Sequence, residues 1–364
     1  LIDMRFLAAW CVFAACSSDP GGVPLHAGPD AGPPSAVDLL FVIEDTDTTE
    51  EENLAFNMPA LVNALKNAPS GAADLHIGVT TVSLGAGAFT SSIPGCMTPD
   101  DGNFVSTVRA STDPACETNK LNANQHFFID GTGRNYSGDL ATALGCIVEV
   151  GAGGCGFEHH LEAIRRALGD PQMGLQPAPN NAGFLRPEAR LAVIILAEED
   201  DCSAPPDSTL FDPNDTSLGP LASFRCTEYG ITCDGLTANN GRIPRTAGGP
   251  YHNCRSNDAL ATIDPLHSLL PVQGYIDYLK RIKTDVVFAT IAPNIDPFSV
   301  VIDQQTGDPS LQHSCSSSNG TFGDPAVRMH QVAAALGARA LWTNVCQNSY
   351  ADNLTQIANL ILTP

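Results

Sequence analysis

"VDLLFVI", residues 37 to 43, passes directly into "EDTDTTEEENL", residues 44 to 54. The first stretch is short, continuous and rich in leucine and β-branched residues, the pattern of a strand buried on both faces. The second is a cluster of carboxylates and threonines opening a helix, because "EEENLAFNMPALVNALKNA" sets Leu54, Met58, Leu61, Val62 and Leu65 at helical spacing around Pro59. Further strands are expected over 75–84, 190–197, 285–292 and 339–345. Helices are expected in "GDLATALGCIVEVG", "EHHLEAIRRAL", "LLPVQGYIDYLKRIK", "DPAVRMHQVAAALG" and "YADNLTQIANLIL". Strands alternating with helices imply right-handed crossovers and a mostly parallel sheet covered on both sides, so the fold class is α/β, three-layered and doubly wound.

Two long irregular segments, 86–124 and 200–262, and a shorter one, 294–319, interrupt this alternation. Each carries cysteines, and they read as disulfide-rich insertions on one domain spanning 37–364. The chain has 364 residues, 43% hydrophobic and 16% charged, which is ample for a globular core. Forty acidic residues against 18 basic ones give a net charge of −22. That balance argues against a nucleic-acid partner, which needs clustered Lys and Arg, and makes cations the more natural partners.

The first residues read as an export signal. Met4-Arg5 precedes the apolar run "FLAAWCVFAA" (6–15), which is too short to span a bilayer. The run ends in "FAAC", which resembles the lipobox of bacterial lipoproteins with Cys16 as the lipidated residue, although Phe13 stands where Leu is usual. By the same resemblance Ser17 favours the outer membrane, with plain secretion as the alternative. Residues 17–36, rich in Pro and Gly, read as a flexible tether.

Ten cysteines remain beyond the signal: Cys96, Cys116, Cys146, Cys155, Cys202, Cys226, Cys233, Cys254, Cys315 and Cys346. An exported chain could join them in five disulfides, stapling loops that lack a core of their own. No C-x-x-C pair occurs, so a structural zinc site is not indicated.

Ligands of an open parallel sheet bind at the carboxyl ends of its strands, beside the point where strand order reverses. "EDTDTTEEE" follows the first strand and "EEDDCS" follows the strand at 190–197, so two acidic clusters converge if these strands are neighbours. Carboxylates a few ångströms apart repel unless a cation lies between them, which suggests a hard metal ion with oxygen ligands. Helix capping is the bland alternative, since Thr and Asp cap helices and acidic first turns complement the helix dipole.

"VDLLFVIEDTDTTEEENLAFNMPALVNAL" resembles the opening of a von Willebrand factor A domain, in which an apolar strand ends in D-x-S-x-S at a metal-ion-dependent adhesion site. With "GAGGCGFEHHLEAIRRAL", "NAGFLRPEARLAVIILAEEDDCSAPP" and "SFRCTEYGITCD", the chain is similar to cysteine-rich lipoprotein members of that family from myxobacteria and their relatives. The resemblance runs from Val37 essentially to the C-terminus. It implies a Rossmann-like fold and a non-enzymatic adhesion or interaction domain that binds a protein or glycan partner at the cell surface. The family's metal ligands fall on Glu44, Thr46, Thr48 and Glu198, giving E-x-T-x-T and Ala197-Glu198 in place of the usual Asp. Asp47, Glu199, Asp200 and Asp201 are candidates to act through water or as substitute ligands. The family's remaining Thr falls at or near Cys155, a residue expected in a disulfide. Glu for Asp carries each carboxylate outward by roughly 1.5 Å, about one C–C bond. Of Mg²⁺, Mn²⁺ and Ca²⁺, the longer and more flexible coordination of Ca²⁺ accepts that best.

A rival reading is enzymatic. "DTDTT" (45–49) also resembles the D-x-D-x-T motif of haloacid-dehalogenase-like Mg²⁺-dependent phosphatases, with Asp45 as nucleophile and Asp47 as general acid/base. A third reading is a metal-free scaffold whose insertions recognise the partner. His159 and His160 are adjacent and point about 100° apart on a helix, so they cannot share a metal as i, i+4 residues do. No phosphate-binding loop, nucleophile elbow or dinucleotide fingerprint is present.

Overall fold

The computed structural model describes residues 34–67 and 74–364. The signal segment, Cys16 and nearly all of the tether lie outside the described residues. The central sheet has six strands: β1 (Ala36–Ile43), β2 (Asp74–Thr81), β3 (Phe128–Asp130), β4 (Arg190–Leu196), β5 (Val286–Ala292) and β6 (Ala340–Asn344), in the order β6-β5-β4-β1-β2-β3. All neighbours are parallel except β3, which pairs antiparallel with β2 at the edge. Every residue of β1 is buried, as its unbroken apolar run requires of a central strand covered on both faces.

Six helices cover the sheet: α1 (Thr49–Asn67), α2 (Leu140–Val148), α3 (His160–Leu168), α4 (Val272–Ile282), α5 (Val327–Leu336) and α6 (Ala351–Leu362). The alternation within β1 assigns the layers. Val37, Leu39, Phe41 and Ile43 face the cluster built with α1, α2 and α6, whereas Leu40 and Val42 face the one built with α3, α4 and α5. Each fully buried Leu, Ile, Val or Phe contributes on the order of 1.5–3 kcal/mol, so both layers are strongly held. The expected α/β class and mostly parallel sheet are present, and among the described residues no helix is long and apolar enough to cross a membrane.

All ten cysteines are paired, as Cys96–Cys155, Cys116–Cys146, Cys202–Cys226, Cys233–Cys254 and Cys315–Cys346. The insertions differ from expectation in one respect: they have cores of their own. One cluster gathers Phe157, Leu210, Phe211, Leu218 and Tyr229 around two of the disulfides, and another gathers Phe224, Ile243, Phe298 and Val300. A small antiparallel sheet even joins the second insertion to the third, with Phe298 opposite Tyr251.

Candidate metal centre

Register brings the two acidic segments together. Ile43 at the end of β1 lies beside Leu196 at the end of β4, so Glu44 and Ala197-Glu198 leave the sheet side by side at the point where strand order reverses. A narrow cleft of about 10 Å³ opens there, room for about one water-sized sphere, lined by Glu44, Asp47, Glu50, Glu51, Leu196, Ala197 and Glu198.

Within it, one carboxylate oxygen each from Asp47, Glu50 and Glu198 lies within 4.8 Å of the others, so this triad could hold a metal ion. Asp47 is half-buried and fixed by its own turn, its Oδ1 accepting from Thr49 N at 2.8 Å. Glu50 lies in the first turn of α1, three residues after Asp47, which precedes the helix. It is 3% exposed, and neither of its oxygens meets a hydrogen-bond partner among the described residues. Glu198 is 8% exposed and its Oε1 is likewise unpartnered. Burial first, then the adjoining Glu50 carboxyl, raise the Glu198 pKa far above the usual carboxylate range. Orphaned buried carboxylates are costly, and a proton shared within this pair or a divalent cation would satisfy them. Oxygen-only donors fit a hard cation such as Ca²⁺ or Mg²⁺.

The four residues nominated by resemblance are brought to this edge, but only Glu198 belongs to the triad. Glu44 is occupied: its Oε2 accepts from Glu198 N at 2.6 Å and Glu199 N at 3.3 Å, with His160 Nε2 at 3.4 Å. Glu44 thus pins the loop after β4 to the end of β1. Thr46 is exposed and donates to Glu44 Oε1 at 3.0 Å, which turns its hydroxyl toward a carboxylate. Thr48 is half-buried, and its carbonyl accepts from Glu52 N within α1. Cys155, where the family's remaining Thr falls, is bonded to Cys96.

Of the auxiliary carboxylates, Asp47 enters the triad and the others are engaged elsewhere. Asp200 accepts from the backbone N–H groups of Arg328 and Met329, capping α5. Asp201 accepts from Leu161 N at the start of α3 and from Arg328 Nε and Nη2. These two are structural caps, the outcome the capping alternative describes. Glu199 accepts weakly from Ser223 Oγ at 3.4 Å, and burial followed by Glu44 and Asp324 raises its pKa well above the ordinary value.

Asp45 is turned inward beside Gly154, where an added Cβ would lie 2.3 Å from its Oδ1. Burial, then Asp100 and Glu44, push its pKa up to about 7. Glu51 is also buried, and its carboxylate accepts from Gly151 N at 2.9 Å; burial is the main cause that lifts it to about 8. His159 and His160 are both buried. His159 Nε2 lies 3.0 Å from Gly85 O while Nδ1 accepts from Ala204 N, so the ring is neutral, and burial lowers its pKa to about 4.

Glu50 is the functional candidate the sequence reading passed over. A first-turn glutamate reads as a complement to the helix dipole; the available signal was only its place three residues after Asp47 in the same acidic segment.

Fold and site together define a disulfide-stapled α/β protein with an acidic candidate cation centre at the carboxyl edge of its sheet, and its five disulfides fit an oxidising, extracellular or periplasmic setting. No protein-family model matches the chain, and no curated protein matches it either.

Proposed function

We propose that the chain is an exported, membrane-anchored interaction domain of the von Willebrand factor A type. It binds a protein or glycan partner at the carboxyl edge of its sheet, with a divalent cation held by Asp47, Glu50 and Glu198. The observation that carries this reading is the convergence of those three carboxylates, two of them buried with unpartnered oxygens, where the strand order reverses. The strand order and the antiparallel edge strand support the same reading. The inward-turned Asp45 weighs against the phosphatase alternative, because a nucleophile must reach its substrate.

Three carboxylates about one divalent ion carry more negative charge than the ion neutralises. Ca²⁺ is favoured over Mg²⁺, since it takes more oxygen ligands in looser geometry and keeps less of its water. The test is retention of cell-envelope components on the immobilised full chain with Ca²⁺, with a chelator, and in Glu50→Gln. Retention that requires Ca²⁺ and is lost in Glu50→Gln supports the reading. Retention indifferent to both would transfer recognition to the insertions and overturn the role of the cation.

A further inference from the structure

The first insertion builds a second cavity that shares no residue with the cation cleft. It measures about 750 Å³ and lies between residues 106–117 and 120–126, with Ile147 of α2 at its base. The Cys116–Cys146 disulfide ties its wall to that helix. Its lining is mostly neutral: Asp113, Glu117 and Lys120 are the only charged side chains among its lining residues.

Its hydrogen-bonding groups are oriented from behind. Asn135 Oδ1 accepts from Ile129 N at 2.8 Å and its Nδ2 donates to Phe127 O at 2.8 Å, so the backbone fixes which way this amide faces. Asn135 Nδ2 also donates to Gln125 Oε1 at 3.0 Å. Gln125 therefore turns its oxygen toward Asn135, and its NH₂ group has no partner among the described residues. Asn122 is exposed, with Ser137 Oγ a weak 3.4 Å from its Oδ1, and its NH₂ has no partner among the described residues. His126 Nδ1, also in the lining, is buried without a partner among the described residues. Ser106 and Thr107 add hydroxyls at the wall, while Val108, Leu121 and Ile147 supply an apolar patch.

We propose that this cavity binds a neutral carbohydrate bearing an acetamido group, an N-acetylated sugar. The acetamido carbonyl would accept from the amide NH₂ groups of Gln125 and Asn122, its methyl would rest on the apolar patch, and the ring hydroxyls would pair with Ser106 and Thr107. Two amide donors select a ligand rich in acceptors. Asp113 and Glu117, with the acidic charge of the whole chain, disfavour an anion, and the donor-rich lining disfavours a cation. A peptide is the weaker fit, because the strand lining the cavity, Lys120–Leu121, is only two residues long and offers little edge for strand addition.

The test is calorimetric titration of the full chain with N,N′,N″-triacetylchitotriose, the same length of unacetylated glucose oligomer (maltotriose) and tri-alanine, each to about 10 mM, the range of weak single-site binding. The expected result is saturable binding of triacetylchitotriose alone, weakened about tenfold in Asn122→Ala. Asn122 is exposed, so an unchanged melting temperature would separate lost contact from lost fold. Failure of triacetylchitotriose to bind, equal binding of maltotriose, binding of tri-alanine, or full affinity in Asn122→Ala would each overturn the proposal.

Discussion

Replacing Arg328 by Met tests how the loop after β4 is held. Arg328 is 2% exposed, and its guanidinium donates to Asp201 Oδ2 from Nε at 3.1 Å and Nη2 at 3.0 Å, to Ser256 Oγ at 2.7 Å and to Leu270 O at 2.7 Å. Asp201 is fully withdrawn from solvent, and the pair joins α5, the start of α3 and the second insertion. Removing one partner of a buried ion pair strands the other charge and costs about 3–5 kcal/mol, whereas Met fills much of the vacated volume. Arg328→Met should therefore lose about that much in urea unfolding with the disulfides intact. Adding Asp201→Asn removes the stranded charge and should recover roughly 1–2 kcal/mol of it, comparable with the desolvation penalty of an unmade bond. A loss under about 1 kcal/mol in the single variant, or no recovery in the double one, would refute the reasoning, since either result means the pair is not buried and coupled as the geometry requires.

Acid sensitivity should carry the mark of His159. Its pKa lies near 4 in the folded chain against 6.5 ordinarily, so between those values the unfolded chain binds more protons and stability falls as pH drops. At 1.36 kcal/mol per pH unit its own contribution across that window is about 3.4 kcal/mol. Because the raised Asp45 and Glu51 act with the opposite sign over the same range, the mark is read as a difference, the unaltered chain losing about that much stability relative to His159→Gln between pH 7 and 4 in denaturation curves. The disulfide Cys315–Cys346 spans 31 residues, which on chain entropy corresponds to roughly 3–4 kcal/mol. Replacing both cysteines by Ala should lower stability by that order in thermal or urea unfolding. Peptide mapping of the unreduced protein should recover all five pairs, and a free thiol at any of the ten positions would contradict the pairing.

Much of the architecture was legible because it rests on local pattern. The apolar runs at 37–43 and 190–196 and the helical spacing after residue 49 each point to one element, and their alternation to a parallel sheet. The edge strand Phe128–Asp130 was not legible, being three residues long in a stretch without alternation. Nor were the cores of the insertions, since contacts such as Phe157 with Phe211 and Tyr251 with Phe298 join residues distant in sequence. At the site, strand ends located the edge correctly, but the roles within it depend on tertiary direction. Asp200 and Asp201 adjoin the Glu198-Glu199 pair, yet they face helix N-termini that arrive from α5 and α3. Glu44 turns to backbone amides because its longer side chain can reach the loop after β4, which leaves Glu50 to complete the carboxylate triad.

The most direct measurement is calorimetric titration of Ca²⁺ and Mg²⁺ into the full chain, beside Glu50→Gln and Thr48→Ala. The carboxylate triad predicts one saturable site that prefers Ca²⁺, weakened at least about a hundredfold, or 2.7 kcal/mol, in Glu50→Gln and largely kept in Thr48→Ala. Absence of binding in the unaltered chain, or an affinity that Glu50→Gln leaves unchanged, would contradict it.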